Sequence, residues 1–143
     1  MAVNADLDAK MMARALAEAR LGRPSPNPNV GAVVALQDQI LGVGHHERAG
    51  SDHAEIVALR AAADSAKGAT LYVTLEPCNH QGRTAPCVDA IIKAGVARVV
   101  VGCRDPNPHV EGHGIERLQQ SGVEVTLGVR KDEARALIEP WVR

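Results

Sequence analysis

Ala69-Thr70-Leu71-Tyr72-Val73-Thr74-Leu75-Glu76-Pro77-Cys78 reads as one strand and its exit. Gly68 precedes an apolar, β-branched run over Ala69 to Leu75, and Glu76-Pro77 closes it. Pro77 cannot donate to a ladder, so pairing stops there and Cys78 is left at the strand's end. Downstream, Asn79 to Pro86 is a polar loop, and Cys87 opens a helix that runs through Ala94. Val88, Ile91 and Ile92 form its core face and Gly95 stops it. Val96 to Gly102 is the next strand, Ile115 to Gln120 a short helix, and Val123 to Leu127 the last strand. Glu133 to Ile138 is the centre of a terminal helix. Two strands joined through a helix run parallel, which fixes the direction of the last pair.

Upstream of the quoted strand, His53 to about Ala63 is a helix, with Ser51 or Asp52 as its N-cap. Before it, Val30 to Leu36 and Ile40 to Gly44 form a hairpin across Gln37-Asp38-Gln39. The unbroken apolar first arm marks a strand covered on both faces. Ala5 to Leu21 is an amphipathic helix. Leu7, Met11, Ala15 and Leu16 face inward, Arg14, Glu18 and Arg20 face water, and Gly22 stops it. Pro24-Ser25-Pro26-Asn27-Pro28-Asn29 is neither helix nor central strand. It is a stiff connector, or a rigid mount that offers the Asn27 amide to a planar heterocycle. Alternating strands and helices argue an α/β sheet with helices on both faces. The polar loops gather at the edge where such sheets place ligands.

The 143 residues fit one domain. Sixteen Lys and Arg balance 17 Asp and Glu, so no basic face for nucleic acid is indicated. One Trp, one Tyr and no Phe leave little for stacking bases. No apolar run approaches the roughly 20 residues that span a bilayer. Three Cys without a signal-like start argue against a disulfide framework and for reduced thiols in a cytoplasmic protein.

His53, Cys78 and Cys87 supply one imidazole and two thiols, the count that leaves a tetrahedral zinc one open position. Glu55 lies two residues from the His. Such positions sit about 200° apart inside a helix, so they share a target only at the helix mouth. The helix dipoles at two neighbouring N-termini suit thiolates. A purely structural zinc would want a fourth ligand, for which His80 is the nearby candidate. Cys103 has no partner spacing and belongs to the core.

His53-Ala54-Glu55, then Pro77-Cys78 and Cys87, resembles the signature of zinc-dependent nucleobase deaminases. There, zinc lowers the pKa of its water to about 7. The Glu takes the proton, delivers it to a ring nitrogen, and then protonates departing ammonia. The eight residues between the two Cys exceed the common two-residue gap and bring His80, Arg83 and Thr84 near the metal.

Longer motifs narrow the resemblance. They are Pro26-Asn27-Pro28-Asn29-Val30-Gly31, Gly44 through His46 and Ala49-Gly50 to His53, and Thr74-Leu75-Glu76-Pro77-Cys78. His80-x-Gly82-Arg83-Thr84-x-Pro86-Cys87 and Asp105-Pro106-Asn107-Pro108-x-Val110-x-Gly112-x-Gly114 complete the set. From about Asp8 to Leu137 the chain resembles the deaminase domain of the bifunctional riboflavin-biosynthesis deaminase/reductase.

The resemblance implies a three-layer α/β/α cytidine deaminase-like fold with a mixed five-stranded sheet. It implies one zinc per chain, held by His53, Cys78 and Cys87, with Glu55 catalytic. The expected reaction is hydrolytic deamination of 2,5-diamino-6-ribosylamino-4(3H)-pyrimidinone 5′-phosphate. Asn27 and His46 would contact the pyrimidine. His80, Arg83 and Thr84 would line the ribose-phosphate end, with Asp105 and Asn107 on the sugar. Arg83 suits a phosphate by geometry and charge. The expectation is a single deaminase domain over 1–143 without the reductase domain, with reduction carried out by a separate partner and a homodimer favoured. The rivals are a zinc deaminase acting on guanine, cytidine or a tRNA adenosine, and a zinc-stabilised module without catalysis.

Overall fold

The computed structural model describes residues 4–25, 27–79, 86–106 and 113–141. Helix α1 (Ala5–Ala19) leads into the hairpin β1 (Gly31–Leu36) and β2 (Gln39–His45). Then follow α2 (Ala54–Ala62), β3 (Thr70–Leu75), α3 (Cys87–Ala94), β4 (Arg98–Cys103), α4 (Gly114–Gln120), β5 (Glu124–Leu127) and α5 (Lys131–Ile138). The strands form one sheet in the order β2-β1-β3-β4-β5. β1 is antiparallel to β2 and β3, whereas β3, β4 and β5 are parallel. The mixed five-stranded sheet expected from the sequence is therefore present.

Period-two alternation sorts the sheet's side chains into two cores. Ala32, Val34, Leu71, Val73, Val99 and Val101 pack under α2, α3 and α4. Val33, Ala35, Tyr72 and Val100 pack under α1 and α5 with Met11, Met12 and Leu16. The central strands are apolar on both faces because both faces are covered. Each fully buried Leu, Val or Met contributes about 1.5–3 kcal/mol.

Two local readings are corrected. The N-cap of α2 is His53, in extended conformation, and not Ser51 or Asp52. The Ser51 hydroxyl closes a turn on Arg48, and Asp52 pairs with Arg60 at 2.9 Å. Gly95 does end α3 in the left-handed region, φ 78°. Gly22 does not end α1 in that way; the helix closes at Arg20 in ordinary αR geometry. Gly22 is needed for space, since a Cβ there would lie 2.2 Å from the His46 carbonyl oxygen. Asp8 of α1, to which the sequence reading gave no inward place, is a buried charge.

Gly31 is tighter still. A Cβ would sit 1.9 Å from the Ala15 carbonyl oxygen and 2.6 Å from the Ala19 nitrogen. Gly31→Ala must push α1 off the sheet, at a cost near the upper end of overpacking, about 3 kcal/mol. Thermal or urea unfolding checks this; an unchanged midpoint would show that α1 does not rest on β1.

Candidate active site

The fold brings the sequence-predicted ligands to the carboxyl edge of β3. Pro77 turns the chain off the sheet, so Cys78 sits at the strand's exit, where its Sγ accepts the N–H of Cys87 at 3.1 Å. Cys87 is the first residue of α3, and His53 caps α2. His53 Nδ1 lies 3.1 Å from the Cys87 sulfur and 3.9 Å from the Cys78 sulfur. The three ligand atoms all fall within 4.8 Å of one another. Bond lengths of about 2.3 Å to sulfur and about 2.0 Å to nitrogen put tetrahedral zinc ligands roughly 3.6 Å apart. The observed distances bracket that value, so the donor set fits zinc in both chemistry and spacing.

The charges suit a cation. Cys78 is held down to about 4, chiefly by the hydrogen bond from the Cys87 thiol and then by His53 and the Cys87 N–H. The same shared proton, with burial, pushes Cys87 up. Exposure falls from His53 (exposed) through Cys78 (half-buried) to Cys87 (buried), so among the described residues the cluster opens on the His53 side.

Glu55, in the first turn of α2, is 4% exposed, and burial pushes its carboxyl up. Its side chain also bonds that of Cys87. The helix mouth therefore brings Glu55 and the ligands together, as the 200° argument requires.

Asn27 and His46 lie beside them. Asn27 Nδ2 is 3.1 Å from His46 Nε2, and His46 Nδ1 is 3.2 Å from the Asp52 carbonyl oxygen. The His46 ring meets that of His53 edge-on, centroids 5.3 Å apart. Burial pulls the His46 pKa down. Asn29 gives its amide to the carbonyls of Ala19 and Gly22, and Gly31 gives its N–H to the Thr74 hydroxyl. The Pro-rich segment is thus tied to α1 at one end and β3 at the other. Asp105 stands on the loop after β4, its N–H held by Glu76 Oε1 at 3.2 Å. His80, Arg83, Thr84 and Asn107 lie outside the described residues.

The sequence reading gave Glu76 no part of its own. Its carboxylate is 4% exposed and also approaches Arg104 at 3.6 Å, fastening the Asp105 loop to the Cys78 turn. A carboxylate directly before Pro77, closing an apolar strand, was the signal available.

Zinc removal tests the donor set. After chelation, wild type is expected to retake one zinc per chain. Cys87→Ser, whose hydroxyl is a far poorer thiolate substitute, is expected to retake none at equal concentration. Full reloading of that variant would exclude Cys87 as a ligand.

An α/β fold whose helix mouths present this donor set beside a buried glutamate defines a zinc-binding deaminase of cytidine deaminase-like architecture. Residues 5–103 match the cytidine and deoxycytidylate deaminase zinc-binding region. The chain belongs to that family. It is 57% identical over 138 residues to the riboflavin biosynthesis protein RibD of Escherichia coli, covering 95% of this chain and 38% of that protein. It is 47% identical over 126 residues to the diaminohydroxyphosphoribosylamino-pyrimidine deaminase of Buchnera aphidicola (Schizaphis graminum), covering 87% of this chain and 86% of that one. Acinetobacter baumannii RibD superposes with a TM-score of 0.92 at 47% identity, over 96% of this chain and 39% of its own. The chain thus spans well under half of the RibD relatives and most of the Buchnera deaminase. Among the described residues no helix is long and apolar enough to cross a membrane.

Proposed function

We propose that this chain performs the zinc-dependent hydrolytic deamination of 2,5-diamino-6-ribosylamino-4(3H)-pyrimidinone 5′-phosphate, a step of riboflavin biosynthesis. The observation that carries it is the 47% identity to a diaminohydroxyphosphoribosylamino-pyrimidine deaminase of which the chain spans 86%. His53, Cys78 and Cys87 hold the zinc. When bound, zinc supplies Lewis acidity that lets water lose a proton near neutral pH.

The chain's own residues do the rest. Water oxygen joins the amine-bearing carbon, the C–N bond breaks and ammonia leaves. Glu55 accepts the proton from water, hands it to the ring nitrogen, and then moves a proton to the departing amine. Its burial favours the protonated carboxyl and so the second half of that relay. Asn27 takes the pyrimidine, with His46 beside it. Asp105 and Asn107 take the sugar, and His80, Arg83 and Thr84 the ribose-phosphate end. In the same reading the enzyme is a cytoplasmic homodimer, and its product is the substrate of a reductase.

The test is ammonia release from a panel of amino-pyrimidines and purines, each with and without a 5′-phosphate. The phosphorylated diaminopyrimidine should be turned over best. Preference for cytidine, deoxycytidylate or guanine would replace the reading with another deaminase of the same family. Arg83→Ala should lower kcat/KM for the phosphorylated substrate by about 10²-fold, the loss of a charge-assisted contact of roughly 3 kcal/mol. An unchanged rate would remove Arg83 from the phosphate.

A further inference from the structure

His46 was expected to touch the pyrimidine, but its ring has no nitrogen to spare. Nδ1 faces the Asp52 carbonyl oxygen at 3.2 Å and Nε2 faces Asn27 at 3.1 Å. The residue is 4% exposed. The backbone on both sides is fixed as well. The His46 N–H donates to Val30 at 3.1 Å, and its carbonyl abuts the space that Gly22 leaves open.

Hydrogen-bond roles follow from chemistry alone. A carbonyl oxygen only accepts, so Nδ1 must carry the proton. The Asn27 amide nitrogen faces Nε2 at 3.1 Å and can only donate, so Nε2 is the acceptor. The amide has no freedom to flip, and Asn27 Oδ1 is left as the acceptor with no partner among the described residues.

We propose that His46 is a positioning residue, a tautomer lock that fixes the Asn27 amide so that Oδ1 receives an N–H donor of the bound heterocycle. It acts through Asn27 and not on the ligand. This rests on the proposed deaminase reading for the identity of the heterocycle, but the lock itself does not. The site thereby selects rings that offer an N–H at that position over rings that offer a lone pair or a methyl group, because a buried acceptor left unpaired is penalised.

Two measurements test it. In the zinc-loaded protein, a long-range ¹H–¹⁵N spectrum of the imidazoles should show His46 as the neutral Nδ1–H tautomer. Asn27→Ala should perturb its Nε2 signal without moving the proton. An Nε2–H tautomer would overturn the proposal. In the second, His46→Ala and Asn27→Ala should each raise KM about tenfold, with kcat changed far less and zinc content intact. The double variant should be no worse than Asn27→Ala alone. His46→Gln, whose carbonyl can accept the Asn27 amide, should recover part of the loss, and it stands in should His46→Ala fold poorly. Wild type should favour an aminopyrimidine over its ring-N-methyl counterpart, and His46→Ala should lose most of that preference. Additive KM effects, unaltered discrimination or loss of zinc in His46→Ala would each refute the lock. If wild type releases no ammonia from any aminopyrimidine, the proposed function fails, and the tautomer measurement still decides the inference.

Discussion

Glu55→Gln is expected to keep its zinc and its fold while losing at least about 10²-fold in kcat, and as much as about 10⁴-fold. The substitution is nearly isosteric, and the amide can still meet Cys87. What it cannot do is take up a proton and return it. Glu55 is 4% exposed, and burial disfavours its charged form. Removing that charge relieves a desolvation cost, so the variant should melt above wild type. A side chain whose loss stabilises the protein and stops the chemistry is one retained for the chemistry. Zinc stoichiometry, a melting curve and ammonia release from one preparation check all three parts. Activity within tenfold of wild type would remove Glu55 from the proton relay and with it the mechanism.

Asp8→Ala is expected to be the most destabilising single change outside the metal site. Asp8 receives both ends of the Arg98 guanidinium, at 2.9 and 2.6 Å, and the Tyr72 hydroxyl at 3.0 Å. Arg98 also reaches the Thr126 hydroxyl at 2.8 Å. Four elements, α1, β3, β4 and β5, meet at one carboxylate. With side chains only 4% and 12% exposed, the pair is nearly dry. Deleting the acid strands the guanidinium and costs about 3–5 kcal/mol. A domain of this size holds about 5–15 kcal/mol in total, so the melting point should fall by roughly 10 °C. Asp8→Ala with Arg98→Met should recover much of the loss, because an apolar pair has no stranded charge. Tyr72 reports independently. Burial and Asp8 push its hydroxyl up to about 12, and it is the chain's only tyrosine, so its ultraviolet titration should move to lower pH in the variant. Stability within 1 kcal/mol of wild type would mean that the pair is structurally idle.

The order and type of the elements were readable because the apolar patterns are uninterrupted. Val30 to Leu36 announced a doubly covered strand, and β1 indeed buries Ala32 and Val34 on one face and Val33 and Ala35 on the other. The ligand triad was readable because Pro77 must end a strand and because His53 and Cys87 each start a helix. Asp8 was not. It sits in the first turn of a helix, where an acid is ordinarily a solvated dipole partner. Only the sheet, by placing Arg98 opposite, makes it a core residue. Gly22 misled for a related reason. A glycine after a helix usually ends it, whereas this one makes room for a carbonyl from β2's end, a contact no local pattern encodes. The His46 partnership was equally hidden, since Asn27, His46 and Asp52 belong to three separate segments.

The bond between Asp8 and Arg98 joins positions 90 residues apart. On the ribosome the first helix emerges long before its counter-ion exists. Its methionines can settle on the first and third strands, but its carboxylate must wait in water until the fourth strand has been translated. Parallel strands, which pair only after a helical crossover has closed, lengthen that wait. Vectorial synthesis therefore leaves this one buried charge unpaired until late, and the chain's yield in cells should fall as translation slows before residue 98 or as temperature rises.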